Sequence, residues 1–402
     1  MYYVADTDLL LREGVLTSDQ VAVVKRQARD VMVKLSVNCL LLGGIIAATL
    51  GLIFWLARPV PVAMAGGLAL ALGFVALAKT AETLRFFGNA ASLIGAGLLL
   101  GGAGFELTAE YEAIAGPVMA VLGAIVACAF GPAARRPRLT SRFTCGAIFL
   151  MGVALHLAGI AFAVDFFGMA KWPVAFASLY AAIMIAFAGL LLDVRTVTAL
   201  AIVPFAQVLS TGTEYWHAVY AFYSPESTLS ILQMSALTVA GLWAAARLPA
   251  RVGRHGGILA VMALIVANLC ALVGSLWGDW VGRTIWGPRY YGSNVFGRRE
   301  WEAYDTYRAA VEAFNATALH ITEGVYAILW AVALACVAVW AAMKAKRGVF
   351  NTTMTFAGIH AYTQVFETLY DEPLAYVIGG LAAIPLAWGL WQINQRWTAG
   401  AA

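Results

Sequence analysis

The stretch GILAVMALIVANLCALVGSLW, residues 257–277, holds 21 consecutive residues without a charged side chain. About 20 apolar residues in a helix cross the hydrocarbon core of a bilayer. Most of the remaining chain consists of apolar stretches of a similar kind. The stretch therefore predicts a transmembrane helix in a protein that contains several of them.

The composition of the whole chain agrees with this interpretation. Of 402 residues, 62% are hydrophobic and 12% are charged, and the mean hydropathy is +0.79. Soluble domains have about 45–50% apolar and about 25% charged residues. An apolar excess of this size cannot be buried in one water-soluble core, and it also excludes disordered, fibrous and nucleic-acid-binding proteins. The chain is predicted to be an integral membrane protein that contacts the lipid bilayer.

Twelve apolar segments are bounded by charges, prolines or polar clusters, and each predicts a helical span. They cover residues 36–57, 60–77, 88–105, 113–130, 143–164, 174–192, 197–211, 228–246, 257–277, 320–343, 350–370 and 374–393. The predicted fold class is all-α: a polytopic transmembrane helical bundle of about 12 spans. Gly66, Ala69 and Gly73 form a small-residue face in the second span, and Gly97 and Gly101 form a GxxxG pair in the third. Such faces are typical of close helix packing.

The basic residues predict the orientation. With the N-terminus in the cytoplasm, most of the 26 lysines and arginines fall in inner segments, and the short outer loops keep only Arg58 and Lys171. This asymmetry is the positive-inside pattern, and it predicts that both termini lie in the cytoplasm. The predicted organisation is then a cytoplasmic helical pair (1–35), spans one to nine (36–277), a long periplasmic loop (278–319), spans ten to twelve (320–393) and a cytoplasmic tail (394–402).

The N-terminal segment predicts two short helices. The first ends at Gly14, a residue suited to a left-handed cap, and the second begins with a capping box between Thr17 and Gln20. The second helix carries apolar residues on one face and basic residues on the other, so it either lies on the anionic inner leaflet or only sets the orientation.

The stretch Leu9-Leu-Leu-Arg-Glu-Gly-Val-Leu-Thr-Ser-Asp-Gln-Val21, entering a many-span core, resembles the N-terminus of a bacterial family of membrane proteins. That family is known as a domain of unknown function. The end of the chain is similar too, with a polar helix from Asn351 and a final helix containing Ile378-Gly379-Gly380. The resemblance implies a topology, and it implies no catalytic residue.

The eleventh predicted span carries a stripe of polar side chains, which cost free energy when they lie in the hydrocarbon core of a membrane. Its residues follow helical spacing along one face: Thr353, His360, Thr363, Gln364 and Glu367. Such a stripe is explained by hydrogen bonds between helices, by a substrate or ion path, or by catalysis. The sequence leaves these three interpretations open.

The long loop 278–319 interleaves aromatic residues with arginines. It offers a candidate surface for a partner or a lipid headgroup: Trp280, Arg283, Trp286, Arg289, Tyr290, Tyr291, Arg298, Arg299, Trp301, Tyr304 and Arg308. Its first half is predicted to be irregular, and a helix is expected from Arg298 onward. This composition suits an interfacial anchor, a docking surface for another membrane protein, or a site for a lipid headgroup or saccharide.

Other polar residues have simpler interpretations. The acidic residues of the outer loops, Glu226 among them, are either solvated loop tips or a vestibule that attracts cations. His156 is predicted to pack within its bundle, and Glu323 is predicted to pair with His320 at the interface. The five cysteines are predicted to be buried apolar residues.

Three functions remain open from the sequence. A binding, scaffold or assembly component of a membrane complex agrees best with the scarcity of membrane-embedded charge. A transporter of a small molecule or ion would use the stripe of span eleven. An enzyme acting on a lipid-linked substrate would use the long loop. No catalytic residue, metal site or cofactor is predicted, because no HExxH, CxxC, P-loop or GxSxG motif occurs in a supporting context.

Overall fold

The computed structural model describes residues 7–56, 58–79, 85–136, 141–169, 172–216, 219–288 and 298–368, with scattered helical positions between 373 and 392. The chain divides into two compact units, Met1–Gly168 and Met169–Ala402. Each unit is described separately.

The first unit is entirely helical in its described part. Its helices are α1 (Thr7–Arg12), α2 (Ser18–Leu56), α3 (Pro59–Lys79), α4 (Arg85–Glu110), α5 (Glu112–Ala134) and α6 (Arg142–Phe166). The two predicted caps of the N-terminal segment are confirmed: Gly14 has φ +71°, and the Thr17 and Gln20 side chains accept hydrogen bonds from each other's backbone N–H groups at 3.3 and 2.9 Å. From this cap, α2 continues without a break into the first predicted span.

Glycines spaced seven residues apart hold α3 against α4. They are Gly66 and Gly73 on α3, and Gly88, Gly95 and Gly102 on α4. A Cβ atom added to Gly66 would overlap the backbone nitrogen of Leu99 and lie 2.8 Å from the carbonyl oxygen of Gly95. The two backbones therefore touch, which confirms the predicted close packing at Gly66 and Gly73, whereas Gly101 of the predicted GxxxG pair is exposed. We call this contact the glycine seam.

Close contacts at glycines also join α5 to α6. Gly116 and Gly123 on α5 face Gly152 and Gly159 on α6. His156 lies in this contact, and its Nδ1 donates a hydrogen bond to the carbonyl oxygen of Ala120 at 2.7 Å. The prediction that His156 is a satisfied packing residue is confirmed.

The second unit combines helices with one β-hairpin and one short antiparallel strand pair. Its elements are α7 (Trp172–Leu192), α8 (Arg195–Leu200), α9 (Ile202–Gln207), β1 (Gly212–Trp216), β2 (Val219–Tyr223), α10 (Ser227–Arg247), α11 (Ala250–Trp277), β3 (Asp279–Trp280), α12 (Arg283–Trp286), α13 (Arg298–Asn315), β4 (His320–Ile321), α14 (Glu323–Met343) and α15 (Arg347–Thr368). Strand β1 pairs with β2, and β3 pairs with β4, both antiparallel. Helix α11 lies at the centre, where it contacts α7, α8, α9, α10, α14 and α15.

The all-α class is confirmed, and the described chain contains eight helices that are long and apolar enough to cross a membrane. They are α3, α4, α5, α6, α7, α10, α11 and α14, and each coincides with a predicted span. The protein is therefore membrane-embedded. Of the other predicted spans, the first is the second half of α2, the eleventh is α15, and most of the twelfth lies outside the described residues, as does the tail 394–402.

The seventh predicted span is wrong as a single helix. Residues 197–211 form the two short helices α8 and α9, which are separated at Ala201. Proline at position 204 has no backbone N–H, so it cannot bond the carbonyl of Leu200 and is tolerated only in the first turn of α9. Residues of α8, α9 and β2 contact α11, so the broken segment and the β1–β2 hairpin both lie along that helix.

The cysteine prediction is right for two of the four cysteines whose side chains the structure describes, and the side chain of Cys39 lies outside the described residues. Cys145 and Cys270 are buried, whereas Cys128 and Cys336 are exposed on the surface of their helices. In an apolar environment an exposed cysteine behaves as a small hydrophobic residue, so exposure to lipid has little cost.

Candidate functional site

The polar stripe of span eleven makes packing contacts in the described part of the chain. Thr353 is buried and donates to the carbonyl oxygen of Val349, one turn earlier in α15, at 2.8 Å. The His360 ring meets the Trp330 ring edge-on, with centroids 4.6 Å apart, and Trp330 Nε1 donates to Asn268 Oδ1 at 2.8 Å. These contacts join α15 to α14 and α11.

The structure gives fewer contacts for the remaining residues of the stripe. Thr363 and Gln364 are half-buried, and the side chain of Glu367 lies outside the described residues. The Nδ1 atom of His360 is buried and has no hydrogen-bond partner within the described chain. The stripe is thus brought together along α15 as predicted from its spacing, and its use as a path stays a prediction.

Glu226 is a buried carboxylate at the end of the bundle that the charge pattern predicts to be outer. It is 3% exposed, so the interpretation as a solvated loop tip is wrong for this residue. Its Oε1 accepts the Gly282 N–H at 2.7 Å, and its Oε2 accepts the Thr284 N–H at 2.8 Å. Gly282 and Thr284 begin α12, whose unpaired N–H groups attract a negative charge. Glu226 therefore holds the segment that follows α11.

Asp279 is a second buried carboxylate, and it accepts hydrogen bonds from the segment that contains Glu226. It is 5% exposed, and its Oδ2 accepts the Thr228 N–H at 2.8 Å, the Thr228 hydroxyl at 2.6 Å and the Tyr326 hydroxyl at 3.0 Å. Thr228 lies in the first turn of α10, so Asp279 caps that helix from a distant part of the chain. We call Glu226, Asp279, Thr228 and Tyr326 the outer clamp, because together they tie α10, α14 and the segment 279–288 to the end of α11.

A cluster of hydroxyl groups fixes the neighbouring hairpin. Thr211 precedes β1, Ser224 follows β2, and Ser230 lies in α10; all three are buried. The Thr211 and Ser230 oxygens are 2.6 Å apart, and the Ser224 hydroxyl donates to Ser230 at 3.0 Å. The two ends of the hairpin are therefore anchored to α10, and the hairpin is held beside the outer clamp.

A cleft of about 580 Å³ opens between the hairpin and the end of α11. Its walls include Phe222, Tyr223, Trp277 and Trp280, with Asp279 and Arg283 on its lining. The Trp280 ring lies 4.2 Å from the ring of His320, which positions it across the β3–β4 pair. His320 was predicted to pair with Glu323; its described ring contact is with Trp280 instead.

The rest of the long loop is only partly described. The predicted helix from Arg298 onward is confirmed as α13, whereas the predicted irregular half contains β3 and α12. Ile285 and Trp286 project from α12 and are 49% and 75% exposed. Arg308 lies 3.7 Å from Glu312 on α13. Arg289, Tyr290 and Tyr291, and the side chains of Arg298, Arg299, Trp301 and Tyr304, lie outside the described residues.

A second polar cluster lies at the opposite end of α11. Asp193, which ends α7 with φ +58°, receives hydrogen bonds from His255 Nε2 at 3.0 Å and from Arg254 at 3.2 Å. His255 is buried, and its Nδ1 lies 2.6 Å from the Thr198 hydroxyl on α8. A neutral imidazole that donates to Asp193 from Nε2 accepts the Thr198 proton at Nδ1. Arg251 donates to the carbonyl of Leu191 at 2.9 Å, which satisfies the end of α7.

We call Asp193, Thr198, Arg251, Arg254 and His255 the inner clamp. It resembles a Thr–His–Asp arrangement, but Thr198 is 1% exposed and lies against the backbone of Gly189, so no substrate can reach it. Its role is to fasten α7 and α8 to the start of α11. The hydrogen bond from His255, with the positive charges of Arg254 and Arg251, lowers the pKa of Asp193 below its ordinary value, although desolvation acts in the opposite direction.

The inner clamp makes a pH-dependent contribution to stability. Because the folded pKa of Asp193 is depressed, its stabilisation is present above the ordinary value of 3.8 and is lost as the pH falls through the folded value. We expect Asp193→Asn, which tolerates the left-handed backbone, to lower the melting temperature at pH 7 and to lower it less below pH 3.8. Thermal unfolding of both proteins in detergent at each pH measures this. An equal difference at both pH values would contradict the ionic role.

Sequence reasoning missed both clamps. Their members are far apart along the chain, and each looks like an ordinary loop or helix-end residue by itself. Two weak signals were present: Asp279 follows directly after a long apolar helix, and the basic run Arg251, Arg254, His255 precedes it. In the described chain, no group of three or more His, Cys, Asp or Glu side chains is placed to hold a metal ion.

Comparisons with protein-family models, with curated proteins and with solved structures find no match for this chain.

Proposed function

We propose that this protein is a binding or assembly component of a bacterial inner-membrane complex. It would cross the membrane twelve times with both termini in the cytoplasm, the seventh crossing being the broken segment α8–α9. Membership of the family of unknown function, suggested by the two ends of the chain, is part of this proposal. The partner would be another membrane protein that docks on the outer side.

The observation that carries the proposal is a segment that Glu226 anchors by two backbone hydrogen bonds and that exposes two apolar side chains. Glu226 holds the backbone of the segment 279–288 at Gly282 and Thr284, while Ile285 and Trp286 project from it into the surroundings. Ordering an interface costs free energy when a protein binds, and a segment that is already ordered avoids much of that cost. Exposed tryptophans are also the residues that most often dominate interface energetics.

The experiment places a photoreactive amino acid at position 286 of the full chain in its native membrane. We expect irradiation to give one discrete protein adduct. The matched control is the same amino acid in place of Trp243, which is 60% exposed on α10 near its other end. Trp286→Ala should then weaken binding of the identified partner about tenfold or more, as expected for a tryptophan at the centre of an interface.

The result that would contradict the proposal is equally clear. If position 286 gives no protein adduct beyond what position 243 gives, the outer segment is not a partner surface. An adduct with a partner whose binding is unchanged by Trp286→Ala would show proximity without recognition, and it would also count against the proposal.

Transport is the second candidate, and the broken seventh crossing favours it. Helices interrupted at membrane depth occur in many transporters, where backbone groups freed by the break contact the cargo. Pro204 stands at such a break, and the buried Nδ1 of His360 offers a hydrogen-bonding group without a described partner. Binding remains the first choice because the described contacts of Thr353 and His360 are packing contacts.

A further inference from the structure

The cleft beside the outer clamp carries two opposite charges that do not pair with each other. Asp279 and Arg283 both line it, four residues apart in sequence, yet no ion pair between them is found among the described residues. Its volume of about 580 Å³ falls within the range of about 300–1,000 Å³ typical of small-ligand sites. The cleft is therefore large enough for a ligand that meets both charges at once.

Both charged side chains have hydrogen-bonding atoms without a partner in the described part of the chain. Arg283 is half-buried, and within the described chain its guanidinium has no hydrogen-bond or ion-pair partner. Asp279 receives all three of its described hydrogen bonds through Oδ2, which leaves Oδ1 without a described donor. A guanidinium binds a phosphate through paired N–H groups, and a carboxylate oxygen accepts from an ammonium group.

The walls of the cleft suit the same ligand. Tyr223, Trp277 and Trp280 present aromatic rings, and aromatic faces attract ammonium groups. Trp277 ends the spanning helix α11 and is 67% exposed, which is the position and residue type of the membrane–water interface. The cleft therefore opens at the depth of lipid headgroups.

We infer that this cleft binds the zwitterionic headgroup of an ethanolamine phospholipid of the outer leaflet. The phosphate lies against Arg283, and the ammonium group lies between Asp279 Oδ1 and the aromatic rings. This inference goes beyond the proposed partner surface, which involves Ile285 and Trp286, and it holds or fails independently of any protein partner.

The test is native mass spectrometry of the full chain in detergent, titrated with phosphatidylethanolamine or with phosphatidylglycerol of the same acyl chains. Phosphatidylglycerol has the phosphate and lacks the ammonium group. We expect tighter binding of phosphatidylethanolamine, and we expect Arg283→Gln to weaken it about tenfold through loss of a charge-assisted contact. The matched control is Arg247→Gln at the exposed end of α10, which should bind as the unaltered protein does.

Three results would overturn the inference. Equal or better binding of phosphatidylglycerol would show that the ammonium group is not recognised. An unchanged affinity in Arg283→Gln would remove the phosphate contact, and the melting temperature of this variant shows whether any loss instead reflects unfolding. Displacement of the lipid by soluble phosphoethanolamine at equal concentration would assign the cleft to a soluble zwitterion rather than to a membrane lipid.

Discussion

Replacement of Glu226 by glutamine is expected to release the segment 279–288 from the end of the bundle. The carboxylate accepts two backbone N–H groups, from Gly282 and Thr284, and is 3% exposed. A glutamine can accept only one of them and directs its own N–H₂ group at the other. Losing a buried hydrogen bond to a charged group costs about 1.5–3 kcal/mol. Hydrogen exchange of the 279–288 amides should then become about tenfold faster or more.

The matched control is Glu312→Gln on α13. Its carboxylate is exposed and lies near the exposed Arg308, so its replacement should leave exchange in 279–288 unchanged. If Glu226→Gln also left that exchange unchanged, the outer clamp would not be what holds the segment. Faster exchange throughout the second unit would instead show that the clamp stabilises the unit as a whole.

Replacement of Gly66 by alanine is expected to force α3 and α4 apart. The added Cβ would overlap the backbone nitrogen of Leu99 and lie 2.7 Å from the Leu98 Cβ, and a backbone cannot move aside within a helix. Overpacking of this kind costs about 1–3 kcal/mol. Thermal unfolding of the full chain in detergent should show a clearly lower melting temperature.

The adjacent residue provides the control. A Cβ added to Gly67 would lie 3.9 Å from the Leu99 Cδ1, an ordinary contact, and alanine favours a helix by roughly 0.8–1 kcal/mol over glycine. Gly67→Ala should therefore be neutral or slightly stabilising. Equal melting temperatures for the two variants would mean that the glycine seam does not set the distance between the helices.

Much of the fold could be predicted because transmembrane helices are encoded locally. Length and apolar content alone located α3, α5, α6, α7 and the other spanning helices to within a few residues, apart from the end of α4 and the start of α11. The cap at Thr17 and Gln20 was also predictable, because it joins residues three apart. Such features depend on neighbours in the chain, and no knowledge of the tertiary structure is needed for them.

The predicted seventh span shows where hydropathy fails. Residues 197–211 are apolar enough for a span, and hydropathy does not register that Pro204 removes a backbone donor. The hairpin 212–223 was also missed, although Thr213, Val219 and the aromatic residues around them favour strands. Strand pairing needs a partner across a turn, and a search for helical spans does not look for one.

The candidate site was less predictable than the fold. Trp280, Arg283 and Trp286 were identified from composition. Nothing in the neighbouring sequence indicates that Glu226 accepts a backbone N–H from the segment after Asp279, or that Asp279 accepts one from the segment after Glu226. A carboxylate in an outer loop is usually solvated, so its burial depends on donors more than 50 residues away. Long-range polar contacts of this kind become visible only in three dimensions.

The two clamps also limit how far the helices of the second unit can tilt when the thickness of the bilayer changes. From His255 to its last residue, Trp277, the central helix rises about 33 Å, compared with about 30 Å for the hydrocarbon core. A lone helix adapts to mismatch by tilting. Here α7, α10 and α14 are fastened to α11 at one end or the other, so no helix can tilt without its neighbours. In a thicker or thinner membrane the lipid must deform around this unit, and the unit will favour membranes whose thickness matches its own.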